Sequence, residues 1–148
     1  MLYHIDIINK EEYQSVVEIW EASVRATHDF LQEEDIAFFK PLILNEYLDA
    51  VNLRSARNEE NEIVGFLGVA EENLEMLFIH PTYFSKGVGK MLLDYAINEL
   101  SITKVDVNEQ NKRATGFYLH SGFTVIGRSE KDPLGKPYPI LHMRLKSQ

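Results

Sequence analysis

Three strand-like segments, residues 51–57, 63–70 and 73–80, follow one another with almost no chain between them. This crowding limits the fold more than any other feature of the sequence. Connections this short join antiparallel neighbours, since a parallel pair needs a crossover of about a dozen residues or more. Residues 59–62 read as the turn between the first two. An earlier segment, residues 3–8, alternates Tyr3, Ile5 and Ile7 with polar residues and reads as a further strand.

The rest of the chain adds helices. Val16, Ile19, Trp20 and Val24 fall at helical spacing, which predicts an amphipathic helix over 11–27, opened by Asn9 with Glu12 three residues on. Residues 32–49 also read as helical, but Pro41 removes a hydrogen-bond donor and is expected to break or kink them. Residues 88–100 form the clearest later helix, with Met91, Leu92, Tyr95 and Ala96 on its apolar face. A strand at 103–107, a helix at 111–121, and strands at 122–127 and 138–145 follow, with a proline-rich loop at 131–139. The expected architecture is α/β of the α+β type, with an antiparallel front half and one strand–helix–strand crossover behind it.

Size and charge narrow the function. A chain of 148 residues suits one domain, 1–148, and leaves no room for two well-packed cores. The absence of cysteine excludes a thiol nucleophile, disulfides and Cys-ligated zinc, and it fits a reducing compartment. Residues 1–10 lack a basic segment followed by an apolar run, and no long apolar stretch occurs anywhere. The expectation is therefore a cytoplasmic protein without a membrane partner. A net charge of −8 argues against nucleic-acid binding, which rests on phosphate neutralisation by Lys and Arg. It is compatible with attraction of a cationic amine, and equally with simple solubility. His120 and His142 have no partners at metal-ligand spacing, so no metal site is expected.

One candidate for ligand chemistry stands at residues 85–90. The run Ser85, Lys86, Gly87, Val88, Gly89, Lys90 leads from a strand through a short loop into a helix. Two glycines let a ligand approach the backbone, and the free N–H groups of a helix start attract anions. A Walker A loop would need Gly at 84 and Ser or Thr at 91, where the chain has Phe84 and Met91. A dinucleotide fingerprint would need a small residue at 92, where it has Leu92. What remains is a Gly-x-Gly turn, with or without a ligand.

Downstream, Asn111, Ala114, Phe117, Tyr118, Gly122 and Phe123 stand in the pattern Asn-x-x-Ala-x-x-Phe-Tyr followed by Gly-Phe. Together with the Gly-x-Gly turn, this resembles the GNAT N-acetyltransferase family, and within it the YjaB-like members. The resemblance extends to residues 20–31, 77–81 and 134–141 and so covers most of the chain. It departs at Phe84, where the family has Arg or Gln, and at Ser85, where Gly is common.

The resemblance implies a mixed, mostly antiparallel twisted sheet of about seven strands with about four helices, in which a splayed parallel strand pair holds acetyl-CoA. A bulge in the first of these strands, residues 74–79, would direct backbone N–H at the thioester, with Leu77, Phe78 and Ile79 also holding pantetheine. Residues 85–90 would hold the pyrophosphate through backbone N–H groups, with Lys86 or Lys90 adding charge in place of the missing side chain at 84. Tyr118 matches the general acid that protonates the departing thiolate, though a core aromatic role would also explain it. Asn111 reads as an N-cap, a CoA contact, or both. Lys112 and Arg113 oppose the helix dipole, which suits either phosphate contact or solvation. The base that deprotonates the amine is Glu75 or His28, and one sequence leaves the choice open. The acceptor is an amine on a small molecule or a peptidyl lysine, and a non-catalytic acetyl-CoA sensor is the rival reading. Monomer and homodimer both remain open.

Overall fold

The segment Ile63–Ala70 is apolar along nearly its whole length, and such a strand is stable only when covered on both faces. In the computed structural model, which describes residues 2–146, it lies well inside a seven-stranded sheet. The strands are β1 (His4–Asp6), β2 (Asn52–Arg57), β3 (Ile63–Ala70), β4 (Asn73–Ile79), β5 (Lys104–Asn108), β6 (Phe123–Ser129) and β7 (Ile140–Leu145). Their order is β1-β2-β3-β4-β5-β7-β6, and every neighbouring pair is antiparallel except β4 with β5. The expected strands thus appear, with ends moved by one or two residues.

Alternation along β3 separates two cores. Leu67 and Val69 join the cluster beneath α3 (Val88–Glu99) and α4 (Lys112–His120). Phe66 points the other way and joins the cluster beneath α1 (Tyr13–Thr27) and α2 (Glu33–Leu42). In α1, Val16, Ile19, Trp20 and Val24 are buried as their spacing predicts. In α3 the buried stripe is Val88, Leu92, Leu93 and Ala96, while Met91 and Tyr95 only flank the core.

Of the break or kink expected at Pro41, the chain shows no break but a change of helical ladder. Helix α2 runs through Pro41 to Leu42, and the chain stays helical as a π turn at Ile43–Tyr47 and a 3-10 turn at Leu48–Ala50. The change of hydrogen-bond pattern follows directly after the residue that lacks a donor. Ile36, Ile43 and Leu48 are buried in the same cluster, so packing holds the segment in place where the backbone ladder is irregular.

The start of the chain is fastened by one buried cation. Arg57 is 6% exposed and grips the Glu12 carboxylate with both terminal nitrogens, at 2.9 and 3.0 Å. Its Nε donates to Ser55 Oγ, and one terminal nitrogen also donates to the Ile7 carbonyl. Glu12 in turn accepts from the backbone N–H of Asn9 at 3.0 Å. These bonds tie β1 and the approach to α1 onto β2. Among the described residues no helix is long and apolar enough to cross a membrane.

Hydrogen bonding to Arg57 and Asn9 holds the Glu12 carboxyl below its ordinary value of 4.5. A depressed carboxyl stabilises the fold above its unfolded pKa, and that stability disappears as pH falls through the lower folded value. Arg57→Ala should cost about 1.5–3 kcal/mol by removing charge-assisted hydrogen bonds to a part-exposed carboxylate. The double variant with Glu12→Gln should lose less than the sum and flatten the acid limb of stability against pH, as read by denaturant unfolding.

Candidate active site

The single parallel contact of the sheet fails after two residues. Asn73 faces Lys104 and Leu74 faces Val105, and there the pairing stops, although β4 continues to Ile79 and β5 to Asn108. Each strand is held by its other neighbour: β4 pairs with β3 out to Ile79, and β5 with β7 out to Asn108. The strands therefore diverge, and the backbone groups facing the gap lack ladder partners. The register of β3 on β4 also shifts between Gly68 and Val69, opposite Met76 and Leu74, which leaves Glu75 as the extra residue of a bulge.

A cavity of about 270 Å³ opens at this splay. Leu77, Phe78 and Ile79 of β4 form one wall, and the starts of α3 and α4 meet across it. In α3 the first helical bond runs from the Met91 N–H to the Gly87 carbonyl, so the N–H groups of Val88, Gly89 and Lys90 precede the ladder. In α4 it runs from Thr115 to Asn111, while Ala114 N–H is capped by Asn111 Oδ1 at 3.1 Å. Two positive dipole ends thus face one cavity. Gly87 takes φ +83° and Ser85 φ +62°, so the turn before α3 passes twice through the left-handed region. A Cβ on Gly89 would lie 3.8 Å from Phe117, an ordinary contact, so the protein itself does not require glycine there.

The charged residues of the loop are distributed unevenly. Ser85, Gly87, Val88, Gly89 and Lys90 line the cavity, but Lys86 stands outside its lining. Lys90 pairs with Asp94 at 2.8 Å, one turn along α3. Phe84 lines the cavity and carries the Arg113 guanidinium 4.1 Å above its ring. The sequence marks Arg113, with Lys112, as opposing the helix dipole and suited to phosphate contact or solvation, whereas its partnership with Phe84 needs the fold to bring α4 beside the loop.

Tyr118 and His28 sit deeper. Tyr118 is 6% exposed, lines the cavity, and burial pushes its phenol well above the usual range. It also packs edge-on to Phe117 and Phe123, so the lining and core roles coincide. His28, 7% exposed at the end of α1, is bonded at both nitrogens. Because Asn111 Oδ1 faces the Ala114 N–H, its Nδ2 faces His28 Nε2, at 3.4 Å. Nε2 is therefore the acceptor, and Nδ1–H donates to Thr27 Oγ1 at 2.7 Å, which itself donates to the Ser23 carbonyl. Burial lowers the imidazole pKa to about 4, consistent with this neutral tautomer.

A second cavity of about 230 Å³ lies on the other side of His28 and Phe78, which line both. Trp20, Leu31, Phe39, Ile43 and Met76 give it apolar walls, and Glu75 and Asp132 are its carboxylates. Glu75 therefore stands in the second cavity and outside the first. Its outer edge is exposed, yet burial of the rest and the charge of Asp106 hold its carboxyl above the ordinary value. Helix α2 is tied over this cavity by Asp35, which accepts from Lys136 at 2.8 Å and from the Tyr138 hydroxyl. His142 lies apart on β7, between Asp106 and Ser129 at 2.7 Å each. No cluster of three or more His, Asp or Glu placed to hold a metal ion occurs among the described residues.

Comparison with known proteins agrees with this geometry. Residues 27–145 match the acetyltransferase (GNAT) domain family. Peptidyl-lysine N-acetyltransferase YjaB of Salmonella typhimurium is 41% identical over 143 residues, which cover 97% of this chain and 98% of that one. The protein of the same name from Escherichia coli is 42% identical over 133 residues, 90% of each chain. The solution structure of apo-form YjaB from Escherichia coli superposes with a TM-score of 0.90 at 39% identity over the whole of both chains. The chain belongs to the GNAT acetyltransferase family. Its reaction is transfer of an acetyl group from acetyl-CoA to an amine.

The Asn111 amide is open to a direct check. Asn111→Asp keeps an oxygen for the Ala114 N–H, so the cap survives, but it replaces the donor facing His28 with a carboxylate. The nearby negative charge favours imidazolium. The His28 midpoint should rise from about 4 towards its ordinary 6.5, followed by NMR. An unmoved midpoint would show that the two side chains do not interact.

Proposed function

We propose that the acceptor is the ε-amino group of a lysine in a peptide or protein, attacking acetyl-CoA while both are bound. The observation that carries this reading is the pair of cavities sharing His28 and Phe78 as a common wall. The lining of the second cavity is mostly apolar and aromatic, with His28, Asn108 and two carboxylates but no Lys or Arg. Such a lining suits an alkyl stem ending in an ammonium group. The relatives named peptidyl-lysine N-acetyltransferases, similar over nearly the full chain, support the same acceptor.

The first cavity fits acetyl-CoA. The open edge of β4 at Leu77, Phe78 and Ile79 offers backbone groups to pantetheine, and the helix starts at Gly87–Lys90 and Asn111–Ala114 face the phosphates. Backbone N–H at the bulge and splay would stabilise charge developing on the thioester oxygen. A lysine ammonium has a pKa near 10.4 and must lose a proton before it attacks. We assign that step to Glu75, directly or through water, since its raised carboxyl is a stronger base than an ordinary one. His28, engaged at both nitrogens, is given a positioning role. Tyr118, held protonated by burial, donates to the leaving thiolate. We also propose that residues 1–148 form one GNAT domain, acting in the cytoplasm as a monomer or homodimer, without nucleic-acid or membrane partners.

The test is release of free CoA thiol with lysine-containing peptides, beside polyamines and amino acids, with mass spectrometry locating the acetyl group. Acetylation at a peptide ε-amine is expected; modification confined to small amines would overturn the acceptor. Tyr118→Phe should lower kcat by roughly 10- to 100-fold, at the low end for general acids because a thiolate already leaves well. Its KM for acetyl-CoA should stay unchanged. Glu75→Gln should lower kcat and remove the acid limb on which rate rises with pH. If that limb persists, another group is the base.

A further inference from the structure

We propose that Arg113, propped on the ring of Phe84, is the charged anchor for the pyrophosphate of the cofactor. This rests on the acetyl-CoA reading of the first cavity and adds a residue to it. Arg113 and Phe84 both line that cavity, and the guanidinium lies 4.1 Å from the ring centroid. Stacking on an aromatic face fixes the plane of the guanidinium and leaves its N–H edge free for a bidentate anion.

No other cation among the described residues near the site both lines the cavity and lacks a carboxylate partner, Lys112 lying outside the lining like Lys86. Lys90 is paired with Asp94, Lys86 does not line the cavity, and His28 is neutral. Among the described residues Arg113 forms no ion pair with a carboxylate. No Asp or Glu lines the cavity either. In a chain of net charge −8, a cation left without a carboxylate inside a ligand cavity is conspicuous. Its place in the first turn of α4 also opposes the helix dipole, a cost that a bound anion would reverse.

The position selects the pyrophosphate over the 3′-phosphate. Phe84 immediately precedes Ser85, so a guanidinium above its ring stands beside the turn whose N–H groups begin α3. Backbone and side chain thus reach one anion from two elements.

Calorimetric binding of CoA, dephospho-CoA and pantetheine tests this. Arg113→Ala should weaken CoA and dephospho-CoA by the same factor, roughly 10- to 100-fold as for a charge-assisted bond. Pantetheine binding should not change. Arg113→Lys, which keeps charge but loses the planar fork, should fall between. Phe84→Leu should give a smaller loss of the same pattern, and added salt should narrow the gap between wild type and Arg113→Ala. Equal CoA affinity in wild type and Arg113→Ala would overturn the proposal. So would a loss seen with CoA but absent with dephospho-CoA, which moves the anchor to the 3′-phosphate, or an equal loss with pantetheine, which makes it structural. A wild-type protein that binds neither nucleotide would overturn the acetyl-CoA reading itself.

Discussion

The divergence of β4 from β5 is the constraint on which the rest of this protein depends. Two parallel strands that begin paired would ordinarily continue so, because every unpaired backbone group costs free energy when buried. Here each strand is held from outside, β4 by β3 and β5 by β7. The return of β7 between β5 and β6 gives β5 a full antiparallel partner and frees its other edge. The gap that results is lined by backbone groups and by the ends of the two helices that follow β4 and β5. A ligand with amides along its length and phosphates at one end fits such a gap.

Charge is sorted across the wall that separates the two cavities. The first cavity is lined by Lys90 and Arg113 and by no carboxylate, whereas the second is lined by Glu75 and Asp132 and by no Lys or Arg. The groups between them are kept uncharged: burial lowers the His28 imidazole and raises the Tyr118 phenol. On the proposed function, this sorting would draw an anionic cofactor and a cationic acceptor to opposite sides of one boundary, where nucleophile and thioester must meet.

The His28–Asn111 contact joins the two halves of the fold at that boundary. Asn111 begins α4, over one face of the sheet, and His28 ends α1, over the other. The amide serves both sides at once, capping α4 with its oxygen and facing the imidazole with its nitrogen. A single side chain thus couples the wall of the first cavity to that of the second.

The strand-rich front half was legible because β2, β3 and β4 are local and their short connections permit little else. The amphipathic stripe of α1 was legible for the same reason, each buried residue being dictated by helical spacing. The Gly-x-Gly turn and the Asn111–Tyr118 segment were singled out by local pattern and family likeness, and the fold brings both to one cavity. Pro41 marked where the regular ladder ends, but whether the chain breaks or only changes its helical pattern there is decided by burial of Ile43 and Leu48 against the sheet. The placement of Glu75 beyond the cofactor cavity, the seating of Arg113 on Phe84, and the tautomer of His28 belong to the tertiary structure alone. Each depends on residues from elements far apart in sequence, brought together by the order of strands in the sheet, and no local spacing encodes such meetings.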